Sequence, residues 1–175
     1  MENGQSHDSF PTNIIGGTAM IRQALVSVSL LATFAGPAYA ADLMTADEIR
    51  ERMRAGVDHI SNDELMSRIA ANEDIVLIDV RTEEEYEAGH ISGAQSTPRG
   101  VVEFRIGALA PDADQEIIVT CSHGTRAAAV TKILRGIGYT NVHAHEGLTA
   151  WVDAGNPIEN RLGTLQAAPA SGSDD

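Results

Sequence analysis

The sequence predicts an α/β domain with a mainly parallel sheet. Three observations predict it. Two short, β-branched runs, Ile75–Val80 and Glu116–Thr120, are apolar over consecutive positions, as expected of strands covered on both faces. Segments of helical pattern alternate with the strands, which is the signature of a parallel sheet with crossovers. Both apolar runs end on chemistry-bearing residues, Asp79 and Cys121. Open parallel sheets place their sites beyond the carboxyl ends of the strands.

The elements follow in order. Thr45-Ala46-Asp47-Glu48 fits a capping box and opens a short helix through Ala55, closed by Gly56. Val57–Ile60 is a candidate short strand. Ser61-Asn62-Asp63-Glu64 fits a second capping box, with a helix to Ala71 that turns Leu65, Ile69 and Ala70 inward. After the Ile75–Val80 strand, the acidic stretch Arg81–Glu87 predicts a loop and a helical turn. Glycines at 89 and 93 lead to a short strand near Ala94–Ser96, and Val101–Ala108 predicts a helix. The strand at Glu116–Thr120 precedes a helix over Arg126–Gly136. Asn141–Ala144 is a short strand and Leu148–Ala154 a last helical turn. Periodicity fades from Pro157, and 163–175 is rich in Ala, Ser, Gly and Asp, the composition of a disordered tail.

The first forty residues carry no fold signal. Met20-Ile21-Arg22 is a short positive start, Ala24–Ala35 is mostly apolar, Gly36-Pro37 breaks it, and Ala38-Tyr39-Ala40 fits a cleavage site. This is the layout of a secretory signal peptide and too short for a membrane span. The expectation is export to a periplasmic or extracellular space, cleavage between Ala40 and Ala41, and no stable membrane anchor. Met20 is a candidate start after a polar extension. The expected organisation is therefore 1–19 extension, 20–40 signal peptide, 41–60 N-terminal segment, 61–158 the folded domain and 159–175 tail.

The stretch richest in chemistry is Cys121-Ser122-His123-Gly124-Thr125-Arg126. It joins a strand to a helix, where several backbone N–H groups lack an intrahelical partner and favour an anion or thiolate. A lone cysteine is often a small buried hydrophobe. A core, however, has no need of the glycine, histidine and arginine around it, and a single thiol in an oxidising compartment is a liability unless used. The chain has 25 acidic and 12 basic residues, net −13, which argues against nonspecific nucleic-acid binding.

Asp79-Val80-Arg81, Glu85-Tyr86, Gly89-His90-Ile91, Gly93-Ala94 and Pro98, then the Cys121–Arg126 loop, then Gly138-Tyr139-Thr140-Asn141-Val142, Gly147, Ala150-Trp151, Ala154-Gly155 and Pro157 together resemble the signatures of the rhodanese family. Three pieces in register across residues 61–158 are specific where each alone is weak. One departure is Glu146-Gly147-Leu148, where many relatives carry paired glycines. The resemblance implies a rhodanese-like, five-stranded, mainly parallel sheet flanked by helices. It implies a thiosulfate sulfurtransferase working through a Cys121 persulfide, with a thiosulfate-like donor and a thiol, cyanide or protein acceptor. Ser122, His123, Gly124, Thr125 and Arg126 would bind substrate with Cys121 as nucleophile, and no cofactor or metal is expected.

Other residues carry two readings. Arg99 is a candidate for attracting an anionic donor, though a surface arginine is the plainer reading. Asp79 and Arg81 are expected to brace the site, with Arg81 pairing Glu84 or Glu85. His143 and His145 lie on one strand face, but with no third ligand in view they are simplest as strand residues. Trp151 and Tyr139 are simplest as core. Two rival functions stand beside sulfur transfer. A non-enzymatic persulfide-carrying or partner-binding module is the first. The second is a cysteine phosphatase, whose loop has five residues between cysteine and arginine where this chain has four.

Overall fold

The computed structural model describes residues 43–166; the expectations for 1–42 and for the end of the tail lie outside them. The elements run α1 (Ala46–Arg54), β1 (His59–Ile60), α2 (Asn62–Ala71), β2 (Val76–Asp79), α3 (Glu83–Ala88), β3 (Gln95–Ser96), α4 (Val102–Leu109), β4 (Ile117–Thr120), α5 (Thr125–Gly136), β5 (Val142–His145), α6 (Leu148–Asp153), β6 (Ile158–Asn160) and β7 (Gly163–Leu165). Five strands form one sheet in the order β1-β5-β4-β2-β3, and every pairing in it is parallel.

The side-chain period of two divides the core between the two faces of this sheet. Val76, Ile78, Ile117, Val119, Val142 and Ala144 face one side, with Val102 and Ile106 of α4 and Ala127, Val130 and Leu134 of α5. Leu77 and Ile118 face the other, against Leu65 of α2, Ile91 and Trp151 of α6. Burying one such aliphatic side chain contributes about 1.5–3 kcal/mol. The sheet is therefore a firm base for the loops at its carboxyl edge. Cys121 continues the alternation of Ile117 and Val119 and belongs to the first face.

Local chemistry explains most of the ends. The capping box of α1 is complete, with Thr45 and Glu48 bonding each other's backbone N–H. At α2 only half of the expected box forms: Ser61 Oγ accepts from Glu64 N, while the Glu64 carboxylate turns to Arg68. The acidic stretch expected to hold a loop and a helical turn contains a third, complete box, Thr82 with Glu85, that starts α3.

The tail expected from residue 159 begins instead as the antiparallel hairpin β6–β7. It is held because Ile158 packs against the second core cluster and because His90 and Glu159 exchange backbone hydrogen bonds of 2.9 and 2.8 Å. The periodicity of the sequence misses it because one flank is three residues long and exposed.

Candidate functional site

Cys121 sits immediately after β4, 1% exposed, and α5 starts four residues later. The peptide carbonyls of the intervening loop are each anchored from outside. Leu148 N–H donates to Cys121 O at 2.7 Å and Thr149 N–H to Ser122 O at 3.0 Å, so the start of α6 holds the first half. Arg54 Nη1 donates to His123 O at 2.7 Å, and His59 Nε2 lies 3.1 Å from Gly124 O. A trans peptide sets its N–H opposite its C=O. The amides of Ser122, His123, Gly124 and Thr125 therefore turn away from these anchors, and none has an acceptor among the described residues. With the first turn of α5 they form a set of donors with the dipole polarity that favours an anion.

Two glycines make this geometry possible. Gly124 has φ +77°, and a Cβ there would fall 2.9 Å from His59 Cδ2 and 3.1 Å from Arg54 Nη1. Gly147 has φ +113°, and its Cβ would fall 2.6 Å from Ser122 O. At 147 an L side chain meets both backbone strain and a backbone clash. The glycine that remains beside Glu146 is thus the one the loop needs.

Arg126 lies in the first turn of α5 and is tied to Glu85 of α3. Its Nη1 and Nη2 donate to the two carboxylate oxygens at 2.8 and 2.7 Å, and Nη2 also donates to Ser122 Oγ at 2.8 Å. Ser122 Oγ–H donates on to Glu85 Oε1 at 3.1 Å. The Arg126 guanidinium holds the Glu85 carboxyl well below the usual carboxylate range. The sequence offered Glu85 as a partner for Arg81 and not for Arg126, although the Thr-x-x-Glu pattern marking it as a helix-start residue is readable.

Asp79 and Arg81 form a buried pair with each other, not with Glu84 or Glu85. Arg81 Nη2 donates to Asp79 Oδ2 at 2.6 Å and to Gly89 O at 2.7 Å. The side chains are 1% and 6% exposed, so separating them would leave a buried charge uncompensated. Proximity decides the choice: two residues apart at a strand end, they close on each other, while Glu85 is engaged by its cap and by Arg126. Arg99 is exposed on the loop after β3, its N–H bonded to Val80 O, and is not among the residues lining the cavity at Cys121.

That cavity, ≈540 Å³, is lined by Cys121, Ser122, His123, Thr125 and Arg126, together with Arg50 and Arg54 of α1. The last two belong to the segment expected to lie outside the domain. Behind the loop, His145 is fully buried. Gly147 N–H donates to its Nδ1 at 3.2 Å, so the proton sits on Nε2, which donates to Asn62 Oδ1 at 3.0 Å. Burial pushes its imidazole down to about 4, with His59 adding in the same direction. His145 is thus a neutral strut between β5, α2 and the Gly147 turn. His143 faces Arg68 and Asn141 instead. Among the described residues no group of three or more His, Cys, Asp or Glu could hold a metal.

The family model for the Rhodanese-like domain matches residues 61–154. A sulfurtransferase of Allochromatium vinosum is 31% identical over 103 residues, 58% of this chain and 94% of that protein. The thiosulfate sulfurtransferase PspE of Escherichia coli is 37% identical over 71 residues, 41% of this chain and 68% of that one. Among solved structures, the 30 kDa polysulfide-sulfur transferase homodimer of Wolinella succinogenes matches with a TM-score of 0.56 at 27% identity, covering 64% of this chain and 85% of that one.

Proposed function

The chain belongs to the rhodanese-like domain family, and from that premise we propose that it moves sulfane sulfur from thiosulfate or a related anionic donor to a thiol or cyanide acceptor through a persulfide on Cys121. One observation carries the reading: the carbonyls around Cys121 are anchored outward, which leaves four consecutive amides without acceptors beside a single thiol.

The steps balance. The Cys121 thiolate attacks the outer sulfur of thiosulfate. The S–S bond of the donor breaks and its electron pair leaves with sulfite, so a monoanion and a dianion become a persulfide monoanion and a sulfite dianion. Cyanide then attacks the outer sulfur of the persulfide, and the electron pair returns to Cys121 with release of thiocyanate. Fixed amide dipoles suit both the thiolate and the persulfide because they need no reorganisation between them. Ser122 Oγ is occupied by the Glu85–Arg126 pair, so its part is to position Arg126.

Mass spectrometry of the intact chain after thiosulfate should show one added sulfur on Cys121, removed by cyanide with thiocyanate release. Cys121→Ser should abolish both, because an alcohol does not hold a sulfane sulfur. A wild-type chain that neither gains sulfur nor turns over would overturn the proposal. We also propose export, supported by the Met20–Ala40 pattern; N-terminal sequencing of the periplasmic or secreted form should begin at Ala41, and a full-length chain retained in the cytoplasm would refute it.

A further inference from the structure

We infer that helix α1, outside the family-matched segment, supplies the charge that selects anionic donors at Cys121, through Arg54 with Arg50 as a second cation. The inference rests on the reading of Cys121 as a sulfur acceptor. It starts from charge. The donor proposed is a dianion, the attacking group is an anion, and the chain carries a net −13. The cation that the Cys121 loop itself carries, Arg126, is engaged by both oxygens of Glu85. That pair presents little net charge to an incoming ligand.

Arg54 differs. It lines the same cavity as Cys121, and its contact with the loop is one bond from Nη1 to the neutral carbonyl of His123. A guanidinium has five N–H donors, and Arg54 has no carboxylate partner among the described residues. Arg50 lies one turn earlier on the same face and also lines the cavity, with Asp47 bound to it.

The helix that carries them is fixed. A complete capping box closes its start. Lys132 Nζ of α5 donates to Arg52 O at 3.0 Å, Val57 N–H to Arg54 O at 3.1 Å, and Val57 is buried in the core. Gly124 leaves the space in which Arg54 and His59 reach the loop. Arg54 is thus a binding residue brought to the site from the other end of the chain. A field from a full cation raises the local concentration of a dianion more than that of a monoanion, and leaves a neutral reagent unaffected.

The test reads charge at Cys121 without using sulfur transfer. Alkylation rates are measured with iodoacetate, an anion, and iodoacetamide, its neutral counterpart, on the full chain and on Arg54→Gln, Arg54→Lys and Arg50→Gln, each checked for folding by circular dichroism. The iodoacetate-to-iodoacetamide ratio should fall roughly three- to tenfold in Arg54→Gln, fall less in Arg50→Gln, and be largely restored in Arg54→Lys. Raising the salt to about 1 M should bring the wild-type ratio toward that of Arg54→Gln. An unchanged ratio in a folded Arg54→Gln would overturn the inference, as would an equal slowing of both reagents, which would make Arg54 a prop for the loop alone. A wild-type chain with the expected ratio that takes no sulfur from thiosulfate would leave charge selection standing and sink the proposed reaction instead.

Discussion

Two cavities of nearly equal size lie at opposite ends of the parallel sheet. One, ≈510 Å³, sits before the amino ends of β2, β4 and β5 and is lined by Asp74, Asp112, Asp114, Glu116 and Asn141, among others. The other, ≈540 Å³, sits beyond their carboxyl ends and is lined by Cys121 and three arginines. Each end has an arginine on a carboxylate, Arg68 with Glu116 at 2.7 Å and Arg126 with Glu85 at 2.7 Å. Volume therefore does not distinguish them. Backbone direction does. In a parallel sheet the helix after each strand begins at the carboxyl edge and ends near the amino edge, so free N–H groups collect at one end and carbonyls at the other. The acids at the amino end face solvent and protein donors. At the carboxyl end Arg126 is paired with Glu85, while Arg54, with no carboxylate partner among the described residues, faces the same cavity as the free backbone N–H groups.

The two histidines of β5 offer the largest test of this contrast, one nearer each end. Folded His145 takes its proton only near pH 4, while an unfolded histidine takes one near 6.5. The unfolded chain therefore binds more protons between those values. The stability from neutral His145 is complete above pH 6.5 and is lost as pH falls toward 4, by about 3 kcal/mol at the limit. Urea unfolding across pH 7 to 4 should show this slope, and His145→Gln should flatten it. His143 is lowered in the same direction, by burial and by Arg68, but it is only partly buried, so His143→Gln should leave most of the slope. Equal flattening by the two variants would deny the Gly147 turn its special dependence on His145.

The second test compares charges. Arg126→Ala leaves the Glu85 carboxylate and Ser122 Oγ without their guanidinium partner beside the Cys121 loop. An unneutralised carboxylate there repels an anionic donor, so kcat/KM with thiosulfate should fall roughly tenfold. Arg126→Lys should recover part, since an ammonium lacks the planar fork, and Glu85→Gln added to Arg126→Ala should recover part by removing the orphaned anion. Asp112→Asn, an exposed change at the far end, should alter the same parameter by less than about twofold, because separation and salt screen it. Comparable effects at the two ends would mean that net charge, not local field, governs the reaction.

The strands were legible because β2 and β4 are buried on both faces and so carry consecutive β-branched residues, and the Cys121 loop was legible because glycine, histidine and arginine follow a strand without break. The partners of that loop were not. Arg54, His59, Glu85 and Leu148 lie from 27 to 69 residues from the groups they bind, and no local pattern encodes which face of α1 meets α5. Arg126 was legible as a cation but not as one already paired. Arg81 was expected to pair with Glu84 or Glu85 and pairs instead with Asp79, two residues away, because Glu85 has a better claimant in Arg126.

The hold of Leu148 and Thr149 on the Cys121 loop also has an order in time. A polypeptide is made from its amino end, so Cys121 leaves the ribosome before the two amides that fix the carbonyls of Cys121 and Ser122. Until Thr149 has emerged those carbonyls have only water to bond. The outward anchoring of the loop carbonyls is therefore complete only once α6, near the end of the domain, has taken its place.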